Sequence, residues 1–367
     1  MSLGWPGALA WRMRQQLLDP VGSESVVGVV RRLGAVPAQR DAAAELAVRV
    51  RRQRSRSGEV ARAVADGQLI KTFAFHGAVY LMTPEDGGVY LALRAASRMW
   101  ERPSWQSFYG LTPSDWPVFR EAVREALADG PLTRDELGAA VTERPKFRHL
   151  GFAFADGAGT LLKPLAWQAD MSFGPPRGGR ATFQRLDSNP RWAGVPDVDE
   201  AGRLAVEAYF RAYGPATADH VHYWLGGGLG VGRKRIQSWI AGLGDRLAAV
   251  DLDGESASVL REDLDELAAT PATTAVRFLP GYDQWILGAG TADAHIVPPA
   301  RRTLVSRQAN IVIAGGVVSG TWSLSDDHVV VAWFTESGPP PREALAEEVA
   351  RLATILDRPL EFTVQTA

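Results

Sequence analysis

Two segments of the chain repeat one pattern, and they read Gly130-Pro131-Leu132-Thr133-Arg134-Asp135-Glu136-Leu137 and Gly214-Pro215-Ala216-Thr217-Ala218-Asp219-His220-Val221. Each follows a helix-like stretch, Val118 to Ala128 in the first case and Arg203 to Tyr213 in the second. Threonine is a good helix N-cap, so we expect a further helix to begin at each of the two threonines. A helix, a Gly-Pro-x-Thr break and a second helix, followed by paired strands, are typical of a winged helix. Tandem winged helices usually bind nucleic acid, which sets the functional question.

The composition predicts a soluble cytoplasmic protein of several compact units. A chain of 367 residues with 46% apolar residues is long enough for two or three units with buried cores. The absence of cysteine excludes disulfides, thiolate zinc sites and cysteine nucleophiles. No segment has the apolar run of a signal peptide or a membrane helix. The net charge is −2, and of the 40 basic residues only four are lysine, so 36 are arginine. Codon bias and selection for phosphate binding both explain this preference.

The order of helical and strand-like segments predicts an α+β fold of four parts. Two strand-like segments around His76-Gly77 form a wing for a divergent N-terminal winged helix. After Ala275, short apolar runs separated by turns predict a small β-barrel or sheet, followed by a helix and a last strand. We therefore divide the chain into winged helix 1 with the candidate catalytic loop (1–83), winged helix 2 (84–190), winged helix 3 (191–273) and a β-barrel with a C-terminal helix (274–367).

Several segments, in this order, resemble a known family. They are Leu33-Gly34-Ala35-Val36-Pro37-Ala38-Gln39, the wing from Thr72 to Met82, Phe278-Leu279-Pro280-Gly281-Tyr282-Asp283-Gln284-Trp285-Ile286-Leu287-Gly288, and Gly316-Val317-Val318-Ser319-Gly320-Thr321-Trp322. The chain is similar, over essentially its whole length, to the HTH_42 winged-helix family, which contains the AlkZ-like and YcaQ-like DNA glycosylases. The AlkZ branch, which is associated with self-resistance to DNA-crosslinking antibiotics, is the nearer one.

The resemblance implies three tandem winged helices around a β-barrel, forming a concave channel for DNA. It also implies monofunctional hydrolysis of the N-glycosidic bonds of bulky N7-alkylguanines, including interstrand crosslinks. The family motif Gln-Φ-Gln, or Gln-Φ-Asp, follows a Leu-Gly-x-Val segment; here Gln39 matches its last position and Pro37 replaces the first glutamine. A shifted alignment reads Gln39-Arg40-Asp41. In the wing, His76 stands where the family often has arginine, and Tyr80 where it often has histidine.

The candidate catalytic residues are Gln39 and Asp283. The carbonyl oxygen of Gln39 can orient a water molecule, while its alternatives are to cap the helix near Asp41 or to lie unused in the loop. Asp283 either stabilises the sugar cation or holds the water, or it caps a turn. None of the few lysines lies in the Gln39 loop, which disfavours a Schiff base and favours hydrolysis by water. We expect no cofactor and no metal site, since His220 and His222 would lie about 200° apart on a helix.

The candidate DNA-binding residues are clustered arginines, whose charge would bind phosphates without sequence preference. The densest cluster contributes Arg51, Arg52, Arg54 and Arg56, and a second contributes Arg301, Arg302 and Arg307. A third cluster contains Arg144, Lys146 and Arg148. Ordinary solvated surface is the alternative for each. The partner that we expect is duplex DNA carrying alkyl adducts, bound by a monomeric protein with no membrane association.

Two other functions stay open on the sequence alone. The replacement of the first motif glutamine by Pro37 fits a noncatalytic, regulatory or lesion-binding DNA-binding protein. A protein that binds small molecules on a winged-helix scaffold is also compatible, because a fold does not determine a function.

Overall fold

The structure, a computed structural model, describes residues 2–157 and 159–367, which form a mixed α+β fold as predicted. The helices are α1 (Trp5–Gln15), α2 (Val26–Leu33), α3 (Asp41–Arg49), α4 (Glu59–Ala65), α5 (Pro84–Ala95), α6 (Pro103–Tyr109), α7 (Trp116–Ala126), α8 (Arg134–Thr142), α9 (Gly151–Ala155), α10 (Lys163–Trp167), α11 (Val198–Tyr213), α12 (Ala218–Val221), α13 (Arg233–Gly242), α14 (Leu264–Ala269), α15 (Gln284–Ala289), α16 (Arg302–Ser306) and α17 (Arg342–Leu356). The strands are β1 (Ser2–Leu3), β2 (Val36–Pro37), β3 (Ile70–Phe73), β4 (Val79–Met82), β5 (Leu132–Thr133), β6 (Met171–Arg177), β7 (Arg180–Arg185), β8 (Leu247–Leu252), β9 (Glu255–Leu260), β10 (Val276–Leu279), β11 (Asn310–Ala314), β12 (Val317–Ser325), β13 (His328–Trp333) and β14 (Glu361–Thr366).

Both threonines of the repeated pattern begin a helix, which confirms that prediction. Thr133 accepts a hydrogen bond from Glu136 N, and the Glu136 carboxylate accepts one from Thr133 N at 2.8 Å, so a complete capping box opens α8. Thr217 accepts from His220 N at 3.2 Å, and His220 Nδ1 accepts from Thr217 N at 3.2 Å, so an imidazole completes the capping box of α12. The same local hydrogen bonding therefore underlies the two copies.

The chain divides into two compact units. The first contains the chain up to Ala61, Val206–Trp224 and Gln237–Ala367, and the second contains Arg62–Ala205 and Leu225–Ile236. The division into four parts and the winged-helix assignment stay predictions. No helix in residues 2–157 and 159–367 combines the length and the apolar character needed to cross a membrane.

The first unit contains a five-stranded sheet in the order β10-β11-β12-β13-β14. Its neighbours are antiparallel except for β13 and β14, which are parallel and are connected through α17. The predicted closed barrel is wrong for the described strands, because β10 and β14 are the two edges of an open sheet. The physical reason is α17, which packs against both edge strands and covers the face that closure would have to enclose. Strand β1 joins this unit as a parallel neighbour of β8 in the sheet β1-β8-β9.

The second unit contains the hairpin β3–β4 and the sheet β5-β7-β6, packed on an aromatic-rich core. The hairpin confirms the predicted paired strands around His76-Gly77. Strand β6 begins at Met171, a few residues after α10, and Pro164 in the first turn of α10 favours that helix.

Candidate active site and nucleic-acid interface

The loop that carries Gln39 connects α2 to α3 in the first unit. Ser25 caps α2 by accepting a hydrogen bond from Gly28 N at 3.0 Å, and Gly34 ends the helix at a φ of 77°, a conformation that favours glycine. Gln39 then lies in an exposed bend directly before α3. Arg40 is the N-cap residue of α3, and within the described residues the Gln39 side chain has no hydrogen-bond partner. The capping alternative for Gln39 is therefore not supported.

Two buried side chains hold the backbone that leads to Gln39. The Tyr213 hydroxyl donates a hydrogen bond to the carbonyl oxygen of Leu33 at 2.8 Å. The Gln284 side-chain amide donates to the carbonyl oxygen of Ala35, while its own Oε1 is buried without a hydrogen-bond partner. Both donors are almost fully buried, so the first half of the loop is fixed while the Gln39 side chain faces solvent.

The structure places the other motif positions around the same bend. Pro37 is half-buried in β2, and Ala38 is buried, which leaves Gln39 as the exposed amide of the Pro37-Ala38-Gln39 reading. In the shifted reading, Asp41 is exposed in the first turn of α3, and Arg40 is exposed between the two. Both readings therefore keep Gln39 as an exposed amide at the bend.

Asp283 is not placed for catalysis. Its side chain is buried, caps α15 by accepting a hydrogen bond from Trp285 N at 2.8 Å, and pairs with Arg51 through bonds of 2.6 and 2.8 Å. The structural alternative, a capping aspartate, fits this geometry. Arg51 is also fully buried, so its prediction as a DNA contact is corrected: the guanidinium has no exposed surface for a phosphate.

The rest of the first arginine cluster divides into one paired and two free side chains. Arg52 pairs with Glu59 and donates a hydrogen bond to the carbonyl oxygen of Glu24 at 2.9 Å. Arg54 and Arg56 are exposed, and within the described residues neither guanidinium has a hydrogen-bond or ion-pair partner. Both line a surface cavity of about 630 Å³, so their charge is available to an anionic ligand.

The second arginine cluster divides in the same way. Arg301 pairs with Glu336 through bonds of 2.7 and 2.9 Å, and this pairing lowers the pKa of Glu336 to about 2. Arg302 donates to the carbonyl oxygens of Thr291 and Ala292 at 3.1 and 2.9 Å. Arg307 is exposed and has no side-chain partner in the described part of the chain. Arg302 and Arg307 are therefore both without an acidic partner among the described residues, and of the two only the guanidinium of Arg307 also makes no hydrogen bond to the protein.

The hairpin β3–β4 of the second unit presents His76 at its turn. His76 has a left-handed backbone conformation with a φ of 54° and is exposed, whereas Tyr80 is buried against Phe75. Desolvation by the surrounding protein and the positive charge of Arg94 lower the pKa of His76, so the ring is neutral at pH 7. A neutral imidazole can accept or donate a hydrogen bond, but it supplies no positive charge for a phosphate.

The sequence did not identify Tyr213 and Gln284 as anchors of the Gln39 loop. Gln284 lies inside one of the segments that carry the family resemblance, and that position was the available signal. Tyr213 ends the helix before the second repeat, and nothing local indicates its contact with Leu33, 180 positions away in the chain.

Comparisons with known proteins agree with one another. The sequence pattern of the family described as "DNA glycosylase AlkZ-like" matches residues 30–355. A curated protein from Streptomyces sahachiroi, "Interstrand DNA cross-link repair glycosylase", is 37% identical over 359 residues, which cover 96% of each chain. The solved structure of "Streptomyces sahachiroi DNA glycosylase AlkZ" is 36% identical, covers 100% of both chains and superimposes with a TM-score of 0.95.

Proposed function

Because the chain belongs to the AlkZ-like family of DNA glycosylases, we propose that it removes bulky N7-alkylguanine adducts and interstrand crosslinks from duplex DNA. The proposal includes a monofunctional reaction, in which water rather than a protein amine attacks the sugar. It extends to this chain the activity after which the relative from Streptomyces sahachiroi is named, the repair of interstrand crosslinks.

The chemistry requires little acid catalysis. An N7-alkylguanine carries a positive charge, so the C1′–N9 bond breaks with its electron pair moving to the base, which leaves as a neutral molecule. The sugar develops oxocarbenium character, as in glycoside hydrolysis. Water then forms the new C1′–O bond and releases its proton to solvent. The protein must position this water and stabilise the cationic sugar.

One observation supports Gln39 in this role: an exposed amide without a protein partner extends from a backbone that two buried donors hold. The Gln39 carbonyl oxygen can accept a hydrogen bond from the attacking water and so orient its lone pair towards C1′. The bonds of Tyr213 and Gln284 to Leu33 and Ala35 limit the movement of the loop, which reduces the entropy that positioning costs.

We assign the contacts with DNA phosphates to three exposed arginines, Arg54, Arg56 and Arg307. Arg54 and Arg56 follow the C-terminal end of α3, whereas Gln39 precedes its N-terminal end. A nine-residue helix rises roughly 14 Å, which is within the width of a DNA duplex. A lesion at Gln39 and a backbone phosphate at Arg54 can therefore belong to one bound duplex.

Single-turnover incubation with a duplex containing N7-alkylguanine tests the reaction, with released base and abasic sites as the two readouts. We expect the wild type to release the base, and Gln39→Ala to slow release about 10²-fold at nearly unchanged duplex affinity. Gln365→Ala, a substitution of another exposed glutamine of the first unit, is the matched control. An unchanged rate in Gln39→Ala would place the water-positioning role elsewhere.

Pro37 favours one competing function, a noncatalytic lesion-binding protein, because it removes the first amide of the motif. Tight binding of the alkylated duplex without base release by the wild type would establish that alternative.

We further propose that the protein is monomeric and cytoplasmic and that it protects its host against a crosslinking antibiotic. The test of host protection uses a sensitive host grown with a bifunctional alkylating agent. Its survival is compared between cells that express the wild type and cells that express Gln39→Ala.

A further inference from the structure

An exposed pair of aromatic rings lies on the second unit. The side chains of Phe108 and Phe152 are 65% and 51% exposed, more than the other large apolar side chains that reach solvent in the described residues. Their ring centroids are 5.8 Å apart in an edge-to-face arrangement. Folding does not explain two large rings left in water side by side, since their burial would be favourable.

The rings are held by the structure beneath them. Phe108 lies on α6 and Phe152 on α9, and Tyr109 contacts both rings at centroid distances of 4.8 and 6.4 Å. Trp105 packs against Tyr109 at 5.2 Å, and His149 Nε2 lies 3.1 Å from the Tyr109 carbonyl oxygen. We call the exposed rings of Phe108 and Phe152, with the half-buried Trp105, the aromatic patch, and the buried Tyr109 supports it from beneath. Its rings are fixed before any ligand binds, which limits the entropy lost on binding.

Two unpaired positive charges lie on these elements or next to them in the chain. Arg102 is the N-cap residue of α6, and Arg148 lies in the 3-10 helix Pro145–Leu150, which directly precedes α9. Both are exposed, and neither guanidinium has a hydrogen-bond or ion-pair partner in the described part of the chain. The neighbouring cations are neutralised, because Arg98, Arg144 and Lys146 pair with Glu101, Glu125 and Asp115.

We propose that the aromatic patch stacks on unpaired bases of a DNA strand while Arg102 and Arg148 bind the adjacent phosphates. Exposed rings, together with free guanidinium groups on the same helix or on the preceding turn, complement a ligand that is both aromatic and anionic. Base stacking on such rings is tolerant of sequence. This inference rests on the proposed function for the identity of the partner. A crosslink-distorted duplex offers unpaired bases that an intact duplex does not.

The same charges disfavour a second copy of the chain as the occupant. A symmetric dimer through the aromatic patch would bring Arg102 and Arg148 of one protomer towards the same residues of its partner. Like charges facing each other across an interface are unfavourable. A nucleic acid strand instead neutralises them.

Fluorescence anisotropy with a labelled single strand of unmodified DNA tests the inference, alongside duplexes with and without an unpaired bulge. We expect Phe108→Ala/Phe152→Ala to weaken binding of the single strand and the bulged duplex about 10-fold or more, with a smaller effect on the paired duplex. Phe108→Tyr/Phe152→Tyr should restore the affinity, because tyrosine also stacks. Leu204→Ala, which removes another exposed apolar side chain of this unit, should bind as the wild type does.

The phosphate contacts have a separate readout. Arg102→Ala/Arg148→Ala should reduce the slope of log K against log salt concentration by about 1.4 for single strands, since each phosphate contact contributes about 0.7. Equal affinity of the wild type and the phenylalanine variant for single strands would overturn the inference. So would a concentration-dependent dimer of the wild type that this variant abolishes.

Thermal unfolding of each variant shows whether a loss of binding comes from loss of the fold, and the tyrosine variant keeps the test decisive if the alanine variant is unstable. The assay uses no alkylated base. A failure to bind single strands would therefore not contradict hydrolysis of the glycosidic bond by a water molecule that Gln39 positions. Conversely, absence of base release by the wild type leaves stacking on unpaired bases measurable.

Discussion

Arg51 and Asp283 form a fully buried ion pair with two hydrogen bonds, Nη1 to Oδ2 at 2.8 Å and Nη2 to Oδ1 at 2.6 Å. Arg51 also donates to the carbonyl oxygens of Gln16 and Ala47, and Asp283 also accepts from Trp285 N. These bonds compensate for the loss of water around both charges. The pair fixes the start of α15, whose first residue, Gln284, holds the loop of Gln39. Its role is therefore structural support of the proposed site.

Breaking this pair should lower the stability of the fold, and it should not act directly on base release. Arg51→Ala or Asp283→Ala leaves a buried charge without its partner, and we expect each to lower the free energy of unfolding by about 3–5 kcal/mol. Urea unfolding of the two single variants and the double variant measures the coupling energy between the two side chains. We expect the stability loss of the double variant to differ strongly from the sum of the two single losses. If Asp283→Ala instead kept its stability and lost base release, Asp283 would regain a catalytic role.

The two anchors of the Gln39 loop should affect the rate of base release without affecting DNA affinity. Gln284→Met fills a similar volume but removes the donor to Ala35, and Tyr213→Phe removes the donor to Leu33. We expect each to slow single-turnover release about 10-fold, because a small displacement of the water-positioning amide raises the barrier. Dissociation constants measured on the same duplex should stay within about twofold. A parallel loss of affinity would indicate a general distortion of the unit.

The free arginines of the first unit should determine the salt dependence of duplex binding. Arg54→Ala/Arg56→Ala removes two unpaired charges, and we expect the slope of log K against log salt concentration to fall by about 1.8, or about 0.9 for each phosphate contact. Arg342→Ala removes another exposed arginine of this unit and is the control, with no expected change in slope. A slope that stays unchanged in the double variant would move the interface to another face.

Local sequence patterns predicted the helices and strands well. They did not predict contacts between positions that are distant in the chain. The threonines of the repeat cap their helices because a capping box needs only four consecutive residues. The apolar runs at β10 to β13 were likewise identified from alternation and turns. In contrast, Arg51 appeared to belong to an exposed basic cluster, yet it pairs with Asp283, 232 positions away. The open edge of the five-stranded sheet depends on how α17 packs, which no single segment encodes.

Asp293 should make the first unit less stable at acidic pH. Burial raises the pKa of this carboxyl, but the nearby imidazole of His220 and the charge of Arg12 outweigh burial and lower it to about 2 from an ordinary value of 3.8. His220 Nε2 lies 3.4 Å and Arg12 Nη1 4.0 Å from Oδ2, while His295 contacts Oδ1 at 3.0 Å.

A carboxyl with a lowered folded-state pKa stabilises the protein above its unfolded pKa, and this contribution disappears as the pH falls through the folded value. Asp293 should therefore contribute about 2 kcal/mol at pH 7, most of which is lost between about pH 4 and pH 2, with about half gone at pH 3. Urea unfolding of the wild type and Asp293→Asn at pH 7, 5, 4 and 3 measures this contribution as the difference between them. The difference should be constant down to about pH 5 and shrink below it; a difference that persists unchanged at pH 3 would show that folding does not lower the pKa of Asp293.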